Sequence, residues 1–205
     1  MDPIDVLMDE HQTILEVLDA MDGYVARIND QGADPADLRS FTDFLRGFAD
    51  TYHHGKEEEI LFTSLVANGF PRDSGPIAVM LYEHEESRKN VRALVRLAEL
   101  ADRPAAWDDA ERIKIATYAR SYSSLLRSHI EKEDHILYPM ARRHLPAPQM
   151  EEIRLEFDSF EEQQGTTGRP SELRALAGRL VSAYGRTAGK LDEISGKAAV
   201  AGAAS

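Results

Sequence analysis

The 205-residue chain contains no cysteine. That removes disulfides, thiolate zinc sites, iron–sulfur ligation and cysteine nucleophiles, so any metal must sit on nitrogen and oxygen. Positive charge is also short: 24 Lys and Arg face 36 Asp and Glu, for a net charge of −12 and a sequence pI near 5.0. No basic footprint for nucleic acid follows from that balance, and polyanions are poor candidate partners. Long apolar runs are missing, and Met1-Asp2-Pro3-Ile4-Asp5 lacks the basic and apolar segments of a secretion signal. The expectation is a cytoplasmic protein that engages neither nucleic acid nor membrane. Alternating strand patterns are lacking too, which leaves an all-α chain.

What is present is helical periodicity with clear punctuation. Asp2-Pro3 reads as an N-cap followed by proline at the first helical position, and Ile4, Leu7, Ile14, Leu18, Met21 and Val25 form one stripe. His11 interrupts that stripe where an apolar residue belongs. The stripe ends at Asn29-Asp30-Gln31-Gly32, and Asp34-Pro35 opens a second helix carrying Leu38, Phe41, Leu45 and Phe48 and ending at Asn68-Gly69. A third helix is predicted from about Pro76 to Leu100. A fourth starts at the capping box of Asp108 and Glu111 and runs to about His144. The reading is an up-down antiparallel four-helix bundle over residues 1–145. A C-terminal extension of one or two helices over 146–190 would pack outside it, and residues 191–205 form a flexible tail.

The helices repeat. Leu7-Met8-Asp9-Glu10-His11 matches Met80-Leu81-Tyr82-Glu83-His84, and His53-His54-Gly55-Lys56-Glu57-Glu58 matches His129-Ile130-Glu131-Lys132-Glu133-Asp134. One unit, a helix with His followed by a helix with His-x-x-x-Glu, occurs twice. Residues four apart share a helix face, so His53 with Glu57 and His129 with Glu133 can each reach one metal. The runs from His11 to Asn29 and from Pro35 to His53 are equal in length, so antiparallel packing brings both histidines to one level.

A lone histidine on an apolar stripe is more often a satisfied core residue than a ligand. Four in register with two glutamates reverse that reading, because Glu57 and Glu133 buried side by side need something positive between them. Four imidazoles and two carboxylates suit iron, with manganese and zinc as alternatives. His54 and His135 fall away from the ligand face by helical angle and His144 lies about four turns beyond His129, so all three read as surface or supporting residues. Glu58, Glu59 and Asp134 read as solvated, with one of them free to orient a ligand imidazole, and Glu161-Glu162-Gln163-Gln164 as a solvated helix end.

These motifs, Glu10-His11, His53-x-x-x-Glu57, Glu83-His84 and His129-x-x-x-Glu133 with Ile136-Leu137-Tyr138-Pro139, resemble the hemerythrin-like family. The resemblance covers about Asp2 to Leu145 and implies a bundle around two non-haem iron ions joined by an oxo or hydroxo bridge. It makes His11, His53, His84 and His129 terminal ligands and Glu57 and Glu133 bridges. Oxygen-carrying relatives have a fifth histidine on the third helix, where this chain has Met80 and Arg88 four residues either side of His84. Tyr52, beside His53 and on the inward stripe, is the better candidate for the missing ligand, ahead of Tyr122. Leu45, Leu81 and Leu126 are expected to limit water around the site.

Open metal positions favour a redox enzyme acting on small oxidants such as hydrogen peroxide, nitric oxide or oxygen, with catalase- or peroxidase-like turnover. The alternatives are a reversible oxygen or nitric oxide binder or sensor, an iron-handling protein, and an interaction bundle without metal. Family members that repair iron–sulfur clusters carry a cysteine-bearing amino-terminal segment, which this sequence lacks. The chain is expected to work as a monomer or homodimer with small molecules as its partners.

Overall fold

The computed structural model describes residues 1–28, 32–103, 107–165 and 169–185. The expected tail over 191–205 lies outside the described residues. Helix α1 (Pro3–Arg27) is capped by Asp2, whose carboxylate accepts from Ile4 N–H at 2.8 Å. Asp34 does the same for α2 (Pro35–Phe44) through Ala36 N–H at 2.9 Å. The second rod then departs from α geometry. Leu45–His54 and Glu57–Leu61 wind as π-helix before α3 (Phe62–Ala67) completes it. Gly69, at φ 94°, supplies the left-handed residue that stops α3.

The third rod is α4 (Gly75–Ala98), extended by a 3₁₀ turn over Glu99–Asp102. The fourth opens on the expected capping box, with Asp108 accepting from Glu111 N–H and Glu111 accepting from Asp108 N–H. It comprises α5 (Asp109–Lys132), a π segment at Glu133–Leu137, and α6 (Tyr138–His144). The rods pack α1 on α5, α5 on α4 and α4 on α2, and their short connections make them antiparallel.

Two further helices follow, α7 (Ala147–Gly165) and α8 (Arg169–Tyr184). α8 lies along α1 and α2, and its Leu173, Ala177, Leu180 and Tyr184 join the same apolar core as Leu18, Phe41 and Leu126. Two glycines explain how it fits. A Cβ at Gly23 would stand 2.1 Å from the Tyr184 carbonyl oxygen, and one at Gly47 would stand 2.7 Å from Leu173 Cδ1. Glycine inside a helix costs roughly 1 kcal/mol relative to alanine, and here the close approach of α8 offsets that cost.

The apolar core has two parts. One is built from Ile14 to Ile28, Leu38 to Tyr52, Val91 to Ala98 and Ile115 to Ile130. The other gathers Ile4, Leu7, Leu61, Phe62, Ile77, Met80, Leu137 and Tyr138 at the opposite end, roofed by Ile153 and Phe157 of α7. Between them lies a buried polar layer of His11, His53, His54, Glu57, His84, His129 and Glu133. Among the described residues no helix is long and apolar enough to cross a membrane.

Candidate metal centre

The polar layer holds all six residues that the repeat singled out, and none is more than 1% exposed. Their ligating atoms fall into two groups. His11, His53, Glu57 and Glu133 form one, and His54, Glu57, His84 and His129 form the other, each with atoms within 4.8 Å of one another. Glu57 belongs to both. Glu133 also lies between them, with Oε2 3.3 Å from His11 Nε2 and Oε1 3.1 Å from His129 Nε2.

Each of the four predicted imidazoles is oriented by a carboxylate. His53 Nδ1 meets Glu10 at 3.0 Å, His129 Nδ1 meets Glu83 at 2.9 Å, His84 Nδ1 meets Glu58 at 2.6 Å, and His11 Nδ1 meets Asp134 at 2.7 Å. A carboxylate at Nδ1 makes that nitrogen the donor and turns the Nε2 lone pair inward. The pattern follows the repeat. Glu10 and Glu83, each just before the histidine of the leading helix, hold the histidine of the following one. Glu58 and Asp134, each just after the shared glutamate, reach across to the other unit. Lys56 and Lys132 in turn pair with Glu10 and Glu83. Of Glu58, Glu59 and Asp134, which the helical angles left in solvent, only Glu59 is fully exposed, while the other two are partly buried and each hold an imidazole.

The expected place of His54 is corrected. His54 is not at the surface but 1% exposed, stacked on His84 with ring centroids 3.8 Å apart. Adjacent His53 and His54 both face the layer from a π-helical stretch, just as His129 and Ile130 both face inward from an ordinary α-helix in the fourth rod. The repeat held a signal for this, because the position matching His54 is Ile130, an inward apolar residue. Tyr52, the expected additional ligand, is held on the side of the second rod that faces α7. Its ring lies 4.2 Å from Lys56 Nζ and against Phe160 of α7. The phenol at the centre belongs to Tyr138, which donates to Glu57 Oε1 at 2.6 Å and stacks on His11. His135 and His144 are exposed, as read from the sequence. Glu161, expected in solvent, instead accepts from buried Lys56 at 2.8 Å.

Without a cation the layer is left with orphaned atoms. Glu57 Oε2, both Glu133 oxygens and both His54 nitrogens are buried without a hydrogen-bond partner. His84 and His129 point their Nε2 atoms at each other across 3.0 Å although each Nδ1 is already engaged. Burial and the nearby Glu133 push the Glu57 carboxyl well above its ordinary range. Burial opposes charge on His11 and His129, yet their carboxylate neighbours outweigh it and raise them to about 9 and about 10. Burial and His84 drive His54 down to about 3, so it stays a neutral imidazole of the form that can ligate a cation. Cations between the two groups would satisfy the orphaned oxygens and nitrogens together, so the donor set fits metal.

A helical bundle with a buried, nitrogen- and oxygen-lined cation site is the class that this fold and layer define. Residues 2–141 match the hemerythrin HHE cation binding domain, and the chain belongs to that family. It is also 32% identical over 142 residues to the iron-sulfur cluster repair protein YtfE of Musicola paradisiaca, a match covering 66% of this chain and 60% of that protein. No solved structure matches the chain.

Proposed function

We propose that the layer holds two non-haem iron ions and that the protein reacts with small oxidants, hydrogen peroxide first among them. The observation that carries this reading is the pair of ligand groups meeting at Glu57, with orphaned oxygens on Glu57 and Glu133 between them. His11 and His53 would hold one ion and His54, His84 and His129 the other, with Glu57 and Glu133 bridging. Two adjacent irons, when bound, supply a two-electron redox couple to a small molecule.

The chain's own residues do the rest. Glu10, Glu58, Glu83 and Asp134 fix the imidazole planes and raise ligand basicity. The group with two histidines is flanked by Tyr138, whose hydroxyl sits 3.4 Å from His11 Nε2 and whose proton holds Glu57 Oε1 in place. Leu7, Leu61 and Phe62 wall one end of the layer, and Leu126 and Ile130 wall the other, which excludes bulk water.

Iron-loaded protein is expected to convert two hydrogen peroxide molecules to two waters and one dioxygen faster than an equal amount of free iron, followed as oxygen evolution. A stable oxygen adduct that discharges under vacuum, with no peroxide turnover, would replace this reading with reversible oxygen binding. A second reading, iron handling, is favoured by the similarity to the cluster repair protein. Its signature is transfer of iron to an acceptor apo-protein without peroxide loss.

A further inference from the structure

A cleft of about 450 Å³ opens between the second and third rods, and its charge runs against that of the whole chain. Four arginines line it, Arg46, Arg88, Arg92 and Arg96, against Asp50 and Glu99, although the chain as a whole carries −12. Arg88 is committed to Asp50 and Glu58, each at 2.8 Å, and Arg92 reaches Glu85 at 2.8 Å. Arg46 and Arg96, both exposed, have no carboxylate within ion-pair distance among the described residues. Cationic side chains left without a partner in an acidic protein mark a place where negative charge is received rather than supplied.

The interior is not a bare charged surface. Leu45, Val91 and Val95 give it an aliphatic wall, buried Tyr122 closes one side, and buried His54 of the polar layer lines its inner end. Ser87 lines it while only 3% exposed, and its Oγ is buried with no hydrogen-bond partner. A buried hydroxyl left unsatisfied costs roughly 1–3 kcal/mol, so it is a polar group waiting for one. The volume falls within the roughly 300–1,000 Å³ of small-molecule sites, which combine apolar walls with a few convergent polar groups.

We propose that this cleft binds a small organic anion. Its apolar body rests on Leu45, Val91 and Val95, its carboxylate, sulfonate or phosphate head meets Arg46, Arg92 and Arg96, and a polar atom of the body meets Ser87 Oγ. Arg88 is the structural link inward, since Asp50 lies 3.5 Å from His54 Nδ1 and Glu58 holds His84. His54 lines the inner end of the cleft, so the proposal is tested on both forms of the full chain to separate anion binding in the cleft from binding at the metal.

Isothermal titration with phenyl phosphate, benzoate, benzenesulfonate, inorganic phosphate and benzyl alcohol separates head from body. At least one aryl anion is expected to bind saturably to a single site in metal-free and iron-loaded protein alike, and the order among the three reports which head is preferred. Inorganic phosphate and benzyl alcohol should each bind at least about tenfold more weakly, and added salt should weaken the aryl anion steeply. The double variant R46S/R96S should lose at least about tenfold in affinity with an unchanged Tm, since both side chains are exposed. Val95→Trp should block the body while keeping the arginines.

Absence of saturable aryl-anion binding overturns the proposal and leaves the iron reading intact. So does affinity unchanged in R46S/R96S. Equal affinity for inorganic phosphate would make the cleft a phosphate site instead. Binding confined to the iron-loaded form would place the anion on the metal and also overturn the proposal.

Discussion

The two repeated units place the same residues at matching stations, and they differ at a few that matter. In each, a glutamate precedes the leading histidine, a lysine precedes the shared glutamate, and a π turn begins at that glutamate, at Glu57–Leu61 and Glu133–Leu137. In each, the aromatic nine residues after the second histidine stacks on the leading histidine of the other unit: Phe62 on His84, Tyr138 on His11. The first unit has His54 where the second has Ile130, and Phe62 where the second has Tyr138. Lys56 is fully buried under Glu161 of α7, whereas the Lys132 side chain is 32% exposed. What is shared builds the frame that orients ligands. What differs makes the two proposed metal positions chemically unequal.

The largest effect expected tests the frame. Glu57→Gln keeps an acceptor for Tyr138 but replaces the carboxylate common to both ligand groups, so metal content should fall from about two ions per chain to almost none. The loaded protein should then lose its metal-linked stabilisation, roughly 4 kcal/mol at a thousandfold excess of free metal over Kd. The metal-free protein should hold its Tm, because burial already favours a neutral group at that position. Elemental analysis and paired melts check this, and full metal retention would remove Glu57 from the site.

A smaller effect tests the first asymmetry. His54→Ile copies Ile130 into the first unit and should lower metal content to about one ion per chain, leaving the group of His11, His53, Glu57 and Glu133 in place. The metal-free protein should become more stable, since two orphaned buried nitrogens disappear. Unchanged stoichiometry would return His54 to a packing role.

The covering of the first unit by the C-terminal helices gives a third contrast. Lys56→Met strands Glu10, which is 4% exposed, without its main cation and should cost about 3 kcal/mol. The matching Lys132→Met should cost less than about 1 kcal/mol, because that lysine is partly in water. Denaturant melts of both variants check the contrast, and equal losses would mean that α7 does not shield the pair.

Most of the frame was legible because it rests on local rules. Caps at Asp2, Asp34 and Asp108 and the apolar stripes fix the rods, and the doubled motif fixes which histidines meet. What local rules do not carry has separate causes. A single helical angle measured from His53 turns His54 away from the layer, whereas two adjacent positions face inward in both repeats, His53 with His54 and His129 with Ile130. Tyr138 reaches the centre from a different rod than His53 and Glu57, which nearness in sequence does not signal. Glu161 was left in solvent because its partner Lys56 lies 105 residues away, a contact that no local pattern encodes.

The smallest effect expected concerns the phenol that distinguishes the two units. Tyr138→Phe makes the second unit match Phe62 of the first and removes one buried hydrogen bond, the 2.6 Å contact to Glu57 Oε1. The stacking on His11 survives, since the ring remains, so the loss in metal-free stability should stay near 1 kcal/mol. If Tyr138 only donates that hydrogen bond, metal content remains at about two ions per chain. If the phenol is instead a ligand, Tyr138→Phe should lose metal from the group containing His11 and His53 and should match Glu57→Gln in direction. Tyr52→Phe is the control, because that ring rests on Lys56 and Phe160 and should leave metal content unchanged. Metal loss in Tyr52→Phe with retention in Tyr138→Phe would reverse the assignment of the two tyrosines and require a rearrangement of the second rod around His53.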